Sequence, residues 1–172
     1  MAQSLGGLWP AMLTPVAADG SPCLKTVDRL VELFVQQRLG GLYVTGSTGQ
    51  WPLFTRHERE AIVERTIQAA AGRIPIMVHV GAATTAEAVA LAQHAEKAGA
   101  DAISAVGPIY YGYTADNLFQ HYTAIGSASS LPLYVYHLST VSQTAVCARD
   151  YVRRLEQIPT VAGMKITDRD LY

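Results

Sequence analysis

Short β-branched or aromatic runs alternate along this chain with amphipathic segments, and that rhythm restricts its fold more than any single residue does. It predicts strands at 8–13, 41–45, 74–80, 102–106, 133–136 and 161–166. The segments between them carry helix signals. Thr55 with Glu58, and Thr84 with Glu87, have capping-box spacing, in which hydroxyl and carboxylate satisfy each other's orphan amides. Val27, Leu30, Val31, Phe34 and Val35 make one apolar helical stripe; Ala88, Leu91, Ala92, Ala95 and Ala98 make another. Gly40, Gly72 and Gly99 are expected to stop helices where a left-handed residue is wanted. One strand and one helix recur roughly every thirty residues, the length of parallel strands joined by crossover helices. An open doubly wound sheet and a (β/α)8 barrel cut short both fit. The barrel typically takes about 250 residues, so a length of 172 leans slightly to the open sheet.

With 49% apolar and 16% charged residues, the chain can build one good core but is short for two, so a single domain over 1–172 is expected. Thirteen basic residues against fourteen acidic ones give a net charge of −1, which offers no basic field to nucleic acid or an anionic membrane. No apolar run approaches the length of a bilayer span. The first residues lack the pattern of a secretion signal. Cys23 and Cys147 have neither a pairing pattern nor metal-ligand spacing. A reduced, cytoplasmic setting is the expectation.

In either architecture, reactive groups gather beyond the carboxyl ends of the parallel strands. Four candidates fall there. Gly46-Ser47-Thr48-Gly49 follows the second strand; its glycines allow close backbone approach, and its hydroxyls and amides can cradle a small carboxylate. Its plain alternative is an ordinary βα turn. Neither a GxGxxG nor a GxxxxGK pattern is present, so it is not a phosphate loop. Tyr136 ends Leu133-Tyr134-Val135-Tyr136-His137, where a phenol can pass protons to a substrate, or else simply pack. Pro108-Ile109-Tyr110-Tyr111 supplies aromatic material for a pocket wall or an interface. Lys165 sits in Gly163-Met164-Lys165-Ile166-Thr167, an apolar run in which desolvation disfavours the ammonium and leaves an amine able to condense with a carbonyl. The plain alternative is a snorkelling surface lysine.

Together these residues resemble the family of class I pyruvate aldolases that includes N-acetylneuraminate lyase and dihydrodipicolinate synthase. Gly41-Leu42-Tyr43-Val44-Thr45-Gly46-Ser47-Thr48-Gly49, with the later Thr55 and Glu58-Arg59, resembles the family signature around strand two. Tyr134-Val135-Tyr136-His137 resembles its catalytic tyrosine segment, and Gly163-Met164-Lys165-Ile166-Thr167 its Schiff-base lysine segment. The resemblance runs from about Leu5 to the C-terminus. It implies a (β/α)8 barrel, of which about six βα units are expected here, the C-terminal part being absent.

Within that family the chain more closely resembles the sialic acid lyases. Val141 stands where dihydrodipicolinate synthases place an arginine that holds a second substrate. Thr167-Asp168-Arg169-Asp170-Leu171-Tyr172 is lyase-like, and His137 is similar to the form in animal-type lyases. The implied chemistry forms a covalent imine between Lys165 and pyruvate or a 2-keto sugar acid, with no metal and no dissociable cofactor. The resemblance assigns the pyruvate carboxylate to Ser47 and Thr48, proton transfer to Tyr136, its support to Tyr110 from across a subunit interface, and the sugar to Thr167. It also implies a homo-oligomer, a tetramer or dimer. Dihydrodipicolinate synthase and 2-keto-3-deoxygluconate aldolase are the alternative activities, and a non-catalytic interaction subunit is the alternative of another class.

Gln50 replaces the family's usual glutamate, Ser139 its proline and Gln143 its glycine. The expected lack of strands seven and eight leaves two sheet edges unpaired. His57, His79, His94 and His121 show no ligand spacing. His79 is a candidate interior residue, and the other three are expected on helix surfaces. Trp9 and Trp51 are expected to pack at loop ends.

Overall fold

The computed structural model describes residues 5–138 and 147–168. Among the described residues five α-helices, α1 (Leu24–Gln36), α2 (Arg56–Ala70), α3 (Thr85–Ala98), α4 (Ala115–Ser127) and α5 (Ala148–Leu155), alternate with five strands. The strands are β1 (Leu42–Val44), β2 (Ile76–His79), β3 (Ala102–Val106), β4 (Leu133–Leu138) and β5 (Val161–Thr167). Their order in the sheet is β1-β2-β3-β4-β5, which is also their order along the chain. A doubly wound sheet needs a reversal of strand order to place helices on both faces. A sequence of crossovers without reversal is that of the (β/α) barrel, and the open sheet is set aside.

The chain forms two compact units: Met1–His79 with His94–Asp101, and Val80–Gln93 with Ala102–Tyr172. In the first, β1 and β2 pair in parallel with Tyr43 opposite Met77, and every residue of both strands is buried. Continuous apolar runs of this kind belong to strands covered on both faces. Each fully buried Val or Leu contributes about 2 kcal/mol of transfer free energy. Residues 8–13 do not form the expected strand. They run beside β1, where the Met12 amide donates to Tyr43 O at 2.9 Å and the Tyr43 amide donates to Pro10 O at 3.0 Å. Only an isolated bridge, Ala11 to Tyr43, results. Pro10 has no amide to extend the ladder, so five strands stand where six were expected.

The Thr55–Glu58 capping box is formed: the Glu58 amide donates to Thr55 Oγ1, and the carboxylate accepts from the Thr55 amide at 2.8 Å. Thr55 Oγ1 also donates to the carboxylate at 2.7 Å, and that bond, then the Thr55 amide's, holds the Glu58 carboxyl below its usual range. In α3 the Glu87 amide donates to Thr84 Oγ1 at 3.3 Å. A further box, Thr114 with Asn117, opens α4; its asparagine in place of glutamate hid it from the sequence pattern. Gly72 and Gly99 have positive φ, as expected. Gly40 does not: Arg38 takes the left-handed position after α1. Gly40 is instead a point of close approach, where a Cβ would lie 2.3 Å from Gly6 O.

In the second unit β3 is buried throughout, β3 pairs with β4, and β4 pairs with β5. β5 ends the strand order, and none of its residues is buried; Ile166 is 54% exposed.

Candidate active site

The register of β4 on β5 sets Tyr136 directly opposite Lys165 and Leu138 opposite Thr167. Paired residues of neighbouring strands point to one face, as do residues two apart on a strand. Lys165, Tyr136 and Thr167 are therefore brought together by backbone alone. Lys165 Nζ lies 3.5 Å from the centroid of the Tyr136 ring and donates to Thr167 Oγ1 at 3.1 Å. An amine over a tyrosine face gains from the ring quadrupole, and the threonine bond fixes its direction. Tyr136 is buried, whereas Lys165 is only half-buried. The desolvation expected from the apolar run is thus incomplete, because β5 is the last strand of the sheet order.

Ser47 and Thr48 belong to the other unit, in the turn that leaves β1, and both are exposed. The turn is held tightly. Its two flanking residues, Thr45 (φ 55°) and Gln50 (φ 56°), are both left-handed, a conformation that a β-branched residue keeps only when its surroundings enforce it. Gly46 is required because a Cβ there would meet the Tyr43 ring at 2.3 Å. At Gly49 a Cβ would crowd Met12 O and Thr14 Oγ1 at 3.1 and 3.2 Å. Thr14 donates its hydroxyl to Gly49 O at 2.8 Å, and the Gln50 amide closes the turn on Ser47 O at 3.0 Å.

Beneath the turn Thr45, Arg59 and His79 form a buried polar cluster, a grouping that the sequence did not reveal. Thr45 Oγ1 donates to His79 O at 3.1 Å, and His79 Nδ1 stands 3.1 Å from Thr45 O. A carbonyl can only accept, so His79 carries its proton on Nδ1. Arg59, 3% exposed, donates to the same His79 carbonyl at 2.8 Å and stacks over Trp51 at 5.0 Å. Trp51 and His79 are interior packing, as expected. Trp9 packs too, its indole against Gly41 and its Nε1 donating to Gly6 O.

Tyr110 is 91% exposed and left-handed at φ 84°, with its ring edge-on to Tyr111 at 4.9 Å. His121 is not on a surface as expected; it is 2% exposed, its Nδ1 2.9 Å from Thr85 Oγ1. Burial holds it neutral, pushing its pKa down to about 4. Burial likewise pushes the Tyr151 phenol up to about 12. His94 pairs with Glu64 at 2.9 Å and His57 is exposed. His137 Nε2 faces Asp168 Oδ2 at 3.8 Å. Ser139, Val141, Gln143 and residues 169–172 lie outside the described residues. Among the described residues no group of three or more His, Cys, Asp or Glu side chains is placed to hold a metal ion. No helix among them is long and apolar enough to cross a membrane.

The pattern of the Dihydrodipicolinate synthetase family matches residues 4–172. N-acetylneuraminate lyase of Citrobacter koseri is 38% identical over 173 aligned positions, covering all of this chain and 58% of that protein. The crystal structure of N-acetylneuraminate lyase from Mycoplasma synoviae superposes with a TM-score of 0.87 at 32% identity, over 96% of this chain and 55% of that one. The 4-hydroxy-tetrahydrodipicolinate synthase from Methylacidiphilum fumariolicum gives 0.88 at 30% identity, over 95% and 54%. The chain thus spans less than two thirds of the length of these relatives. With the family pattern matched almost from end to end and the signature segments at the ends of β1, β4 and β5, the chain belongs to the dihydrodipicolinate synthetase family.

Proposed function

We propose that the chain carries the imine-forming machinery of a pyruvate-dependent class I aldolase that cleaves N-acetylneuraminate or a similar 2-keto-3-deoxy sugar acid. The observation that carries this reading is the pairing of Lys165 with Tyr136 across β4 and β5, with Thr167 beside the amine. Lys165, as free amine, attacks the C2 ketone. Loss of water from the carbinolamine gives an imine whose nitrogen accepts the electrons of the breaking C3–C4 bond. The resulting enamine takes a proton at C3, and hydrolysis of the imine releases pyruvate and regenerates the amine.

Ser47 and Thr48 hold the substrate carboxylate through hydroxyls and backbone amides. Tyr136 moves the proton to and from the oxygen that becomes the aldehyde. Tyr110 supports that relay from a neighbouring subunit of a homo-oligomer, a role in keeping with its exposed ring. Thr167 contacts the sugar portion. The imine is the electron sink, so the scheme uses neither metal nor dissociable cofactor, and the setting is cytoplasmic.

The identity to N-acetylneuraminate lyases favours the lyase, while the fit to a synthase structure keeps condensation in view. Incubation with N-acetylneuraminate, and separately with pyruvate and aspartate semialdehyde, distinguishes the two. Pyruvate release from the first supports the lyase; product from the second alone refutes it. Reactivity with neither, in a folded chain, turns the reading to a non-catalytic interaction subunit.

A further inference from the structure

We infer that Arg59 is a positioning residue for 2-oxo acid recognition, bracing the Gly46–Gly49 turn from beneath so that its amides and hydroxyls meet a carboxylate. This rests on the reading of that turn as the carboxylate site.

A guanidinium that is 3% exposed is costly to bury, and its place needs a reason. Arg59 rises from the first turn of α2 and grips both flanks of the strained turn. On the entry side its Nη2 donates to His79 O at 2.8 Å. The same carbonyl accepts from Thr45 Oγ1 at 3.1 Å, and Thr45 O stands 3.1 Å from His79 Nδ1. His79 and Thr45 are thus locked to each other by two bonds, with Arg59 as the third partner. On the exit side the guanidinium lies over the Trp51 ring at 5.0 Å, and that ring also meets the His79 imidazole at 5.4 Å. Trp51 follows Gln50 and returns its amide to Gly46 O at 3.4 Å.

Thr45 and Gln50, the two left-handed residues, are therefore each one step from a group that Arg59 touches. Strained backbone persists only where surroundings over-determine it. Arg59 joins the two flanks together with the His79 imidazole, and of the two it is the one whose side chain also binds the His79 carbonyl. Releasing it lets Thr45 or Gln50 relax toward ordinary φ and swings the Ser47 and Thr48 amides off the carboxylate. Lys165 stands on β5, so imine formation with a ketone lacking a carboxylate does not draw on the turn.

The test compares borohydride trapping of pyruvate and of hydroxyacetone on Lys165 in the 172-residue chain, in Arg59→Met and in Arg59→Lys. For Arg59→Met the expected result is a half-saturating pyruvate concentration raised about tenfold or more. The trapping rate at saturation and the behaviour with hydroxyacetone stay unchanged. Arg59→Lys keeps a donor for His79 O and recovers part of the loss. Equal losses for both ketones mean a merely structural arginine and overturn the inference, as does an unaltered pyruvate response. Should Arg59→Met fail to fold, Arg59→Lys decides alone: a weakened pyruvate response with hydroxyacetone intact supports the brace, and parallel or absent changes refute it. If the unaltered chain traps hydroxyacetone on Lys165 but shows no preference for pyruvate, the carboxylate reading of the turn fails rather than the role of Arg59 within it.

Discussion

His121 shows how a single buried side chain ties stability to pH. The folded chain holds its imidazole neutral down to about 4, while in the unfolded chain it takes up a proton near 6.5. Between those values the unfolded state binds more protons, so stability falls as pH drops from about 6.5 to about 4. The shift amounts to about 3 kcal/mol at full effect. Urea titrations at pH 7 and pH 4.5 are expected to show most of that loss, and His121→Asn is expected to flatten it. An unchanged midpoint difference in the variant would mean that other groups cause the acid sensitivity. At residue scale the sequence was only partly legible. Lys165 and Tyr136 could be marked as candidates by residue type and strand position, and Thr167 by the family resemblance. Thr45 and Arg59 stand within the signature segment, but the burial of Arg59 and His121 and the left-handed φ of Thr45 could not be read, because they depend on partners far along the chain.

Helix caps and the β1 turn do different work in the fold. Thr55→Ala removes the hydroxyl that accepts the Glu58 amide and is expected to cost about 1 kcal/mol. Gly46→Ala puts a Cβ 2.3 Å from the buried Tyr43 ring. That overpacking is expected to cost about 1–3 kcal/mol and to weaken pyruvate binding by displacing Ser47. Denaturant midpoints for the two variants, with trapping by pyruvate, separate a cap that only stabilises from a turn that also binds. The Thr55–Glu58 capping box was readable in advance because two orphan amides dictate both residue types, whereas of the Thr84–Glu87 pair the bond from the Glu87 amide is the one formed. The missing first strand was not. Apolar spacing at 8–13 signals extended chain, but Pro10 lets that chain accept a bond from β1 without continuing the ladder.

Across the whole molecule, strand order decides the architecture. The roughly thirty-residue rhythm was visible in the sequence and left two folds open, since periodicity does not encode which strand lies next to which. Sequential order in the sheet selects the barrel type. Burial is uneven along that order: β3 is buried throughout and β5 nowhere. Amide hydrogen exchange is accordingly expected to be slowest in β3 and markedly faster in β5, by local opening rather than global unfolding. Equal protection of the two strands would show that β5 is covered in solution, as assembly into a homo-oligomer would do.

Lys165, set opposite Tyr136, is expected to form an imine with pyruvate. Borohydride reduction in the presence of pyruvate, followed by mass analysis of the peptide containing Lys165, tests it directly. A reduced three-carbon adduct on Lys165, absent in Lys165→Met, is the predicted result. A chain that is folded and carries no adduct, or carries it on another lysine, would contradict that role for Lys165.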